Sequence, residues 1–447
     1  MADPRTSRPA NRLGRRGFLA ALGAGSAVPL LGSSATAVPG SASAAPGSGS
    51  RYQVIPGADD LASRNFDDLA GQRVGVITNP TGILRDLRHE VDVMAESDAV
   101  NLVGVFGPEH GFRGTAQAGE SEDTYVDERT GVTVYDAYGA DADAFADMFT
   151  EAGVETVVFD IQDVGSRFYT YIWTMYTAML AAVDTGVRFV VLDRPNPTGG
   201  TARGPMMTPE YTSGVGLKEI VQQHGMTVGE LARFFDGEFL EDEAGARLPD
   251  LHIVQVRRWR RDIPFADSGL PWVPPSPNMP TVDTALVYPG TCLFEGTLWS
   301  EGRGTTRPFE YIGAPEVPYD YAAAVADYDL PGVGVREGYF VPTFSKHVDE
   351  TCGGVQLHVS DPNALDPVEL GVAMLVEARR HHPDFEWRVD EWDDRLWIDK
   401  LTGSPRVREM VDDGAELGDI TAVWTDELAD FDQRRQQYLL YRGPGRD

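Results

Sequence analysis

Asn101-Leu-Val-Gly-Val-Phe106 runs straight into Gly107-Pro108-Glu109-His110-Gly111-Phe112-Arg113-Gly114, and the reading of this junction decides the fold class. The first six residues have the length and apolar character of a strand buried on both faces. The next eight turn the backbone sharply and display a carboxylate, an imidazole and a guanidinium within five positions. In open α/β sheets, ligands bind just beyond the carboxyl ends of the strands. A Glu109–His110 pair in such a place can move protons, and Arg113 can hold an anion. The alternative is a surface turn with incidental charges. Similar segments elsewhere in the chain weigh against it.

Working outward, the apolar runs Val74-Gly-Val-Ile-Thr78, Val132-Thr-Val-Tyr135, Thr156-Val-Val-Phe-Asp160 and Arg188-Phe-Val-Val-Leu-Asp193 alternate with amphipathic stretches such as 142–152 and 171–184. That alternation predicts an α/β fold, a Rossmann-like parallel sheet covered by helices on both sides. Four strands end in polar, turn-forming residues: Thr78-Asn79-Pro80, Gly107-Pro108-Glu109, Asp160-Ile161-Gln162-Asp163 and Asp193-Arg194-Pro195-Asn196. Parallel strands bring all four ends to one edge. The first strand is followed by Asn79-Pro80-Thr81-Gly82 rather than the Gly-x-Gly-x-x-Gly phosphate turn, so neither a nicotinamide nor any other cofactor is expected.

This first domain is expected over 45–265. Residues 262–318 are dense in Pro and Gly and read as a linker lying across the surface. A smaller α+β domain is expected over 266–447, with a strand at Gly354-Val-Gln-Leu-His-Val359 and helices over 368–380, 406–413 and 425–441. No internal repeat is visible.

Residues 1–44 have the layout of a twin-arginine export signal. Arg15-Arg16 precedes a modest apolar stretch, and small-x-small cleavage candidates follow at Ala35-Thr36-Ala37 and Ala42-Ser43-Ala44. The expectation is an extracytoplasmic protein without a transmembrane segment, the apolar stretch being too short and glycine-rich to span a bilayer. The formal charge is −31, and the leader contributes five Arg and one Asp, so the remainder is near −35. Such a surface repels nucleic acid and anionic membranes. Cys292 and Cys352 are the only cysteines, and a disulfide and two buried thiols are equally open readings.

Three segments carry candidate chemistry. Beside Glu109 and His110 stand Asp160-Ile-Gln162-Asp163-Val-Gly-Ser-Arg167-Phe-Tyr169-Thr-Tyr171 and the glycine-rich run from Glu295 through Trp299, Glu301, Arg303 and Thr305. Two neighbouring carboxylates such as Asp160 and Asp163 drive their pKa values apart, although one of them could serve only as a helix cap. Glu295 and Glu301 beside Trp299 suit a sugar ring, with Trp299 equally readable as core. Phe344-Ser345-Lys346-His347 is a fourth, weaker candidate. A metal-dependent hydrolase built on His110, Asp160 and Asp163 is an alternative, but their spacing matches no standard metal signature and none is expected.

Together with Gly75-Val-Ile-Thr-Asn-Pro80, Leu192-Asp-Arg-Pro-Asn-Pro197 and Pro275-Ser-Pro-Asn-Met-Pro280, these segments resemble the NamZ-type exo-β-N-acetylmuramidases of peptidoglycan recycling. The resemblance implies a Rossmann-like domain joined to a smaller C-terminal domain with the active cleft between them. It implies release of single β-1,4-linked MurNAc units from the non-reducing end of muropeptides or MurNAc-GlcNAc. β-Glycoside cleavage needs a carboxylic acid to protonate the leaving oxygen and a second group at the oxocarbenium-like centre. Glu109 is assigned as that acid and His110 as its neighbour. Three routes stay open at that centre, a carboxylate nucleophile, a water activated by a second carboxylate, or attack by the substrate's own acetamido group oriented by Asp160 or Asp163, and the retaining course is favoured. Asn79, Arg113, Gln162, Arg167, Tyr169, Glu295, Trp299, Glu301, Arg303 and Thr305 are the expected substrate-binding residues, an Arg meeting the lactyl carboxylate. The competing class is a secreted protein that captures an acidic sugar without turning it over.

Overall fold

The computed structural model describes residues 53–115 and 122–443. The expected twin-arginine leader, residues 1–44, lies outside the described residues. Twelve strands occur among them: β1 (Arg73–Thr78), β2 (Asn101–Gly107), β3 (Tyr125–Val126), β4 (Thr133–Asp136), β5 (Thr156–Asp160), β6 (Arg188–Leu192), β7 (Arg203–Met206), β8 (Val221–Gln223), β9 (Leu251–Val254), β10 (Tyr311–Ala314), β11 (Val333–Phe340) and β12 (Cys352–Val359). Seven form one sheet in the order β3-β4-β2-β1-β5-β6-β9, all parallel except the short edge strand β3. The tips of β1, β2, β5 and β6 therefore share one edge.

Alternation along the strands assigns the two faces. Ile77, Phe106, Phe159 and Phe189 enter one apolar cluster, whereas Val76, Val105, Val158 and Val190 enter another. Both faces are covered, which is why these strands read as nearly continuous apolar runs. Helix Ala142–Ala152 is capped by Asp141, whose carboxylate accepts from Ala144 N–H at 2.9 Å, and it stops at left-handed Gly153. Helix Tyr171–Thr185 follows the β5 tip and is likewise stopped by a left-handed glycine, Gly186.

The first apolar cluster continues without interruption into the C-terminal region, taking in Leu286, Trp299, Leu357 and Leu375. That region holds the antiparallel sheet β10-β12-β11 and the helix Pro367–His381. The Pro/Gly-dense stretch is only in part the expected linker. Residues 269–281 have no regular structure, but Val282–Thr291 is a buried helix with Pro289 inside it. Gly290 explains this: a side chain there would collide with Pro367 O, and Gly371 packs against it from the facing helix. Close packing outweighs the unfavourable local propensity. Cys292 and Cys352 are both buried and unlinked.

The chain end returns to the first sheet. Tyr441 Oη donates to Asp193 just past β6 and accepts from Val256 N–H at 2.9 Å, while Leu440 N–H donates to Glu230 at 2.7 Å. No helix among the described residues is long and apolar enough to cross a membrane.

Candidate active site

Glu109 stands just past β2. The following His110 and Gly111 both take positive φ, +72° and +77°, which reverses the chain over a very short distance. A side chain on Gly107 would sit 3.0 Å from Phe112 N, so glycine is needed for that return. Thr170 Oγ1 donates to Glu109 Oε2 at 3.1 Å. Tyr171 Oη contacts the Glu109 carbonyl at 3.4 Å and donates to Pro275 O at 2.7 Å. The β2 tip, the segment after β5 and the irregular strap 269–281 are thereby fastened together.

They border a cleft of about 160 Å³, lined by Glu109, His110, Tyr169, Tyr171, Ser276, Asn278, Tyr288, Glu295 and Arg303 among others. Its floor is aromatic. Tyr169 meets Tyr171 and Tyr288 edge to face at 5.3 and 5.6 Å, and Tyr288 meets Phe309 at 4.8 Å. Burial pushes the phenols of Tyr169, Tyr171 and Tyr288 well above their ordinary pKa, so all three are neutral. The opposite wall comes from the C-terminal region. Arg303 Nη2 donates to Glu295 at 2.7 Å, and Arg303 Nε lies 3.2 Å from buried Glu301. Burial opposes ionisation of Glu301, yet Lys346 and Arg303 hold its carboxyl below the usual value. A cleft lined by a carboxyl, tyrosine rings and a braced cation suits a sugar that carries an anionic substituent.

Of the residues singled out in the sequence, Glu109, His110, Tyr169, Glu295 and Arg303 meet in this cleft. The others lie apart from its lining. Asp160 is wholly buried and makes a two-oxygen contact with Arg194, Nη2 to Oδ2 being 2.6 Å. Asp163 accepts from Gly165 N–H at 2.7 Å and from His224 Nε2 at 3.1 Å. His224 Nδ1 is taken by Met226 N–H, which leaves Nε2 to carry the proton. Asp163 Oδ1 has no partner among the described residues. Arg113 lies over Phe112 and between Asp92 and Asp127, at 2.9 Å from each. Its charge is spent on those carboxylates rather than on a ligand. Arg167 is fully buried and ties the β5 tip to the carbonyls of Pro205, Ile220 and Leu401; burial lowers its pKa to about 9.

Asn79 closes a turn onto Thr81 (2.6 and 2.9 Å) and reaches Pro275 O at 3.4 Å. Gln162 donates to Asp163 O and Pro195 O and lines a separate hollow with Thr81, Arg194 and Trp272. Trp299 is core, 1% exposed, with its Nε1 bonded to His382. Thr305 closes the turn at Gly302. Ser276, Asn278 and Tyr171 line the cleft without having been singled out, although all three fall within the motifs quoted above, and Tyr288, seven residues before Glu295, joins them. No group of three or more His, Cys, Asp or Glu side chains able to hold a metal occurs among the described residues.

Residues 74–283 match the family described as exo-beta-N-acetylmuramidase NamZ, N-terminal, and residues 286–441 match its C-terminal counterpart. The chain is 44% identical over 392 residues to the peptidoglycan beta-N-acetylmuramidase NamZ of Bacillus subtilis (strain 168), covering 87% of this chain and 92% of that protein. Two crystal structures of DUF1343 family proteins from Bacteroides fragilis NCTC 9343 superpose on it. One has a TM-score of 0.77 at 33% identity over 88% of this chain and all of the other. The second has a TM-score of 0.67 at 30% identity over 87% of this chain and 99% of the other.

Proposed function

This chain belongs to the family of the exo-β-N-acetylmuramidase NamZ, and on that premise we propose how its cleft works. It is a glycoside hydrolase that releases terminal β-1,4-linked N-acetylmuramic acid from the non-reducing end of peptidoglycan fragments. The observation that carries the mechanism is the convergence of Glu109, the edge-to-face tyrosines and the Glu295–Arg303 pair in one cleft.

Glu109, steadied by Thr170, protonates the leaving oxygen. The apolar face of the sugar rests on the tyrosine rings, and Ser276 and Asn278 offer hydrogen bonds to its rim. Arg303 meets the lactyl carboxylate, the one feature that separates MurNAc from GlcNAc. The substrate's 2-acetamido group attacks C1, steered by Glu295, the second carboxyl of the cleft, since Asp160 is committed to Arg194 and Asp163, bonded to Gly165 and His224, stands outside the lining. That route retains configuration. The substrates are muropeptides or MurNAc-GlcNAc outside the cytoplasm, reached through the twin-arginine leader.

Purified protein is to be incubated with a chromogenic β-MurNAc glycoside and, separately, with its GlcNAc equivalent. Release from the first alone is expected. Saturable binding with intact ligand recovered would establish a binding protein instead. Proton NMR should show β-MurNAc as the first-formed anomer, and initial α-MurNAc would remove the acetamido route.

A further inference from the structure

Lys346, which the sequence offered only as part of a weak loop motif, is inward-pointing and fully occupied. Its ammonium donates to Phe294 O and Trp299 O at 2.9 Å each and to Glu301 Oε2 at 2.8 Å. The backbone around it is strained: Ser345, His347 and Asp349 all take positive φ, +70°, +56° and +62°, and none is glycine. Such conformations persist only where the surroundings over-determine them. Here Thr343 N–H donates to Gly304 O at 3.1 Å and His347 Nε2 bonds Leu298 O at 2.8 Å, locking the loop onto the glycine-rich segment that presents Arg303.

Glu301 links Lys346 to the cleft. It lies 2.8 Å from Lys346 and 3.2 Å from Arg303, which in turn lies 2.7 Å from Glu295. Two carboxylates against Arg303 alone would leave the wall of the cleft negative, and an anionic sugar substituent would be repelled. Lys346 brings this cluster to neutrality, and Glu301 is too buried for water to screen it.

We propose that Lys346 is a specificity-determining positioning residue, which cancels Glu301 so that Arg303 can receive the substrate's carboxylate. This rests on the muramidase reading above. Lys346 touches no substrate; it acts through Glu301 and Arg303.

Lys346→Gln removes the charge and leaves an amide one bond short of the carbonyls of Phe294 and Trp299, so thermal unfolding of the variant reports the lost pinning separately from substrate binding. KM for the β-MurNAc glycoside should rise about tenfold or more with kcat little changed, and the Kd of free MurNAc should rise in parallel while that of GlcNAc does not. Lys346→Arg should keep discrimination. Adding Glu301→Gln to Lys346→Gln removes the surplus negative charge and should recover most of the loss, which a purely structural role would not predict. Glu301→Gln alone, needing no change at Lys346, should tighten MurNAc binding. An unchanged KM in Lys346→Gln, no recovery in the double variant, or weaker MurNAc binding in Glu301→Gln would each overturn the inference. Equal affinity of the unaltered protein for MurNAc and GlcNAc would instead bring down the muramidase reading on which it rests.

Discussion

Replacing Glu109 by Gln keeps the side chain's shape and its bond from Thr170 while removing the transferable proton. On an unactivated disaccharide kcat is expected to fall by at least about two orders of magnitude. Turnover near the original rate would move the acid to Glu295. A second carboxyl, Glu90, is fully buried beside Asp160 and Arg194, and burial followed by the Asp160 charge raises its pKa well above the usual value. The folded protein thus keeps a proton that the unfolded chain gives up above about pH 4.5, and its stability is lost as pH rises from there toward the folded pKa. Glu90→Gln mimics the protonated form, so its Tm should match the parent's near pH 5 and exceed it near pH 8. Calorimetry at the two values checks this, and a variant that loses ground with rising pH would refute it. At this scale the sequence revealed residue types but not their partners. Arg113 and Arg167 have the chemistry of anion binders, and only the fold shows that Asp92, Asp127 and three distant carbonyls have claimed them.

Elements were easiest to read where burial on two faces wrote a continuous apolar run, as in β5 and β6, or where a cap and a glycine bracketed a helix, as in Ala142–Ala152. Strand β9, half-buried and carrying His252, has no such signature, and β11 shows mixed burial along its length. The helix containing Pro289 was hidden because its cause lies at Gly371, far along the chain. The strap 269–281 is the element whose position matters most to the cleft, and Tyr171 is its principal tie. Tyr171→Phe leaves Pro275 O with only the 3.4 Å contact from Asn79. A loss of roughly 1–3 kcal/mol is expected, the cost of leaving a buried acceptor poorly satisfied. KM should rise as Ser276 and Asn278 loosen. Unchanged thermal unfolding and KM together would show that the strap is held elsewhere.

For the whole molecule, alternating strands and helices announced the Rossmann-like sheet, whereas the continuity of one apolar cluster from that sheet into the C-terminal region had no local sign. The Tyr441–Asp193 contact belongs to the same scale, since it joins residue 441 to the tip of β6, next to the sheet's edge. Deleting residues 440–447 removes this contact together with the backbone donors to Glu230, and should lower Tm by several degrees, on the order of 1–3 kcal/mol for the buried groups left unpaired. Because residue 441 completes the surroundings of residue 193, the tip of β6 settles only once a stretch 248 positions further along the chain has been made. The order in which a ribosome releases this chain is therefore not the order in which its sheet matures.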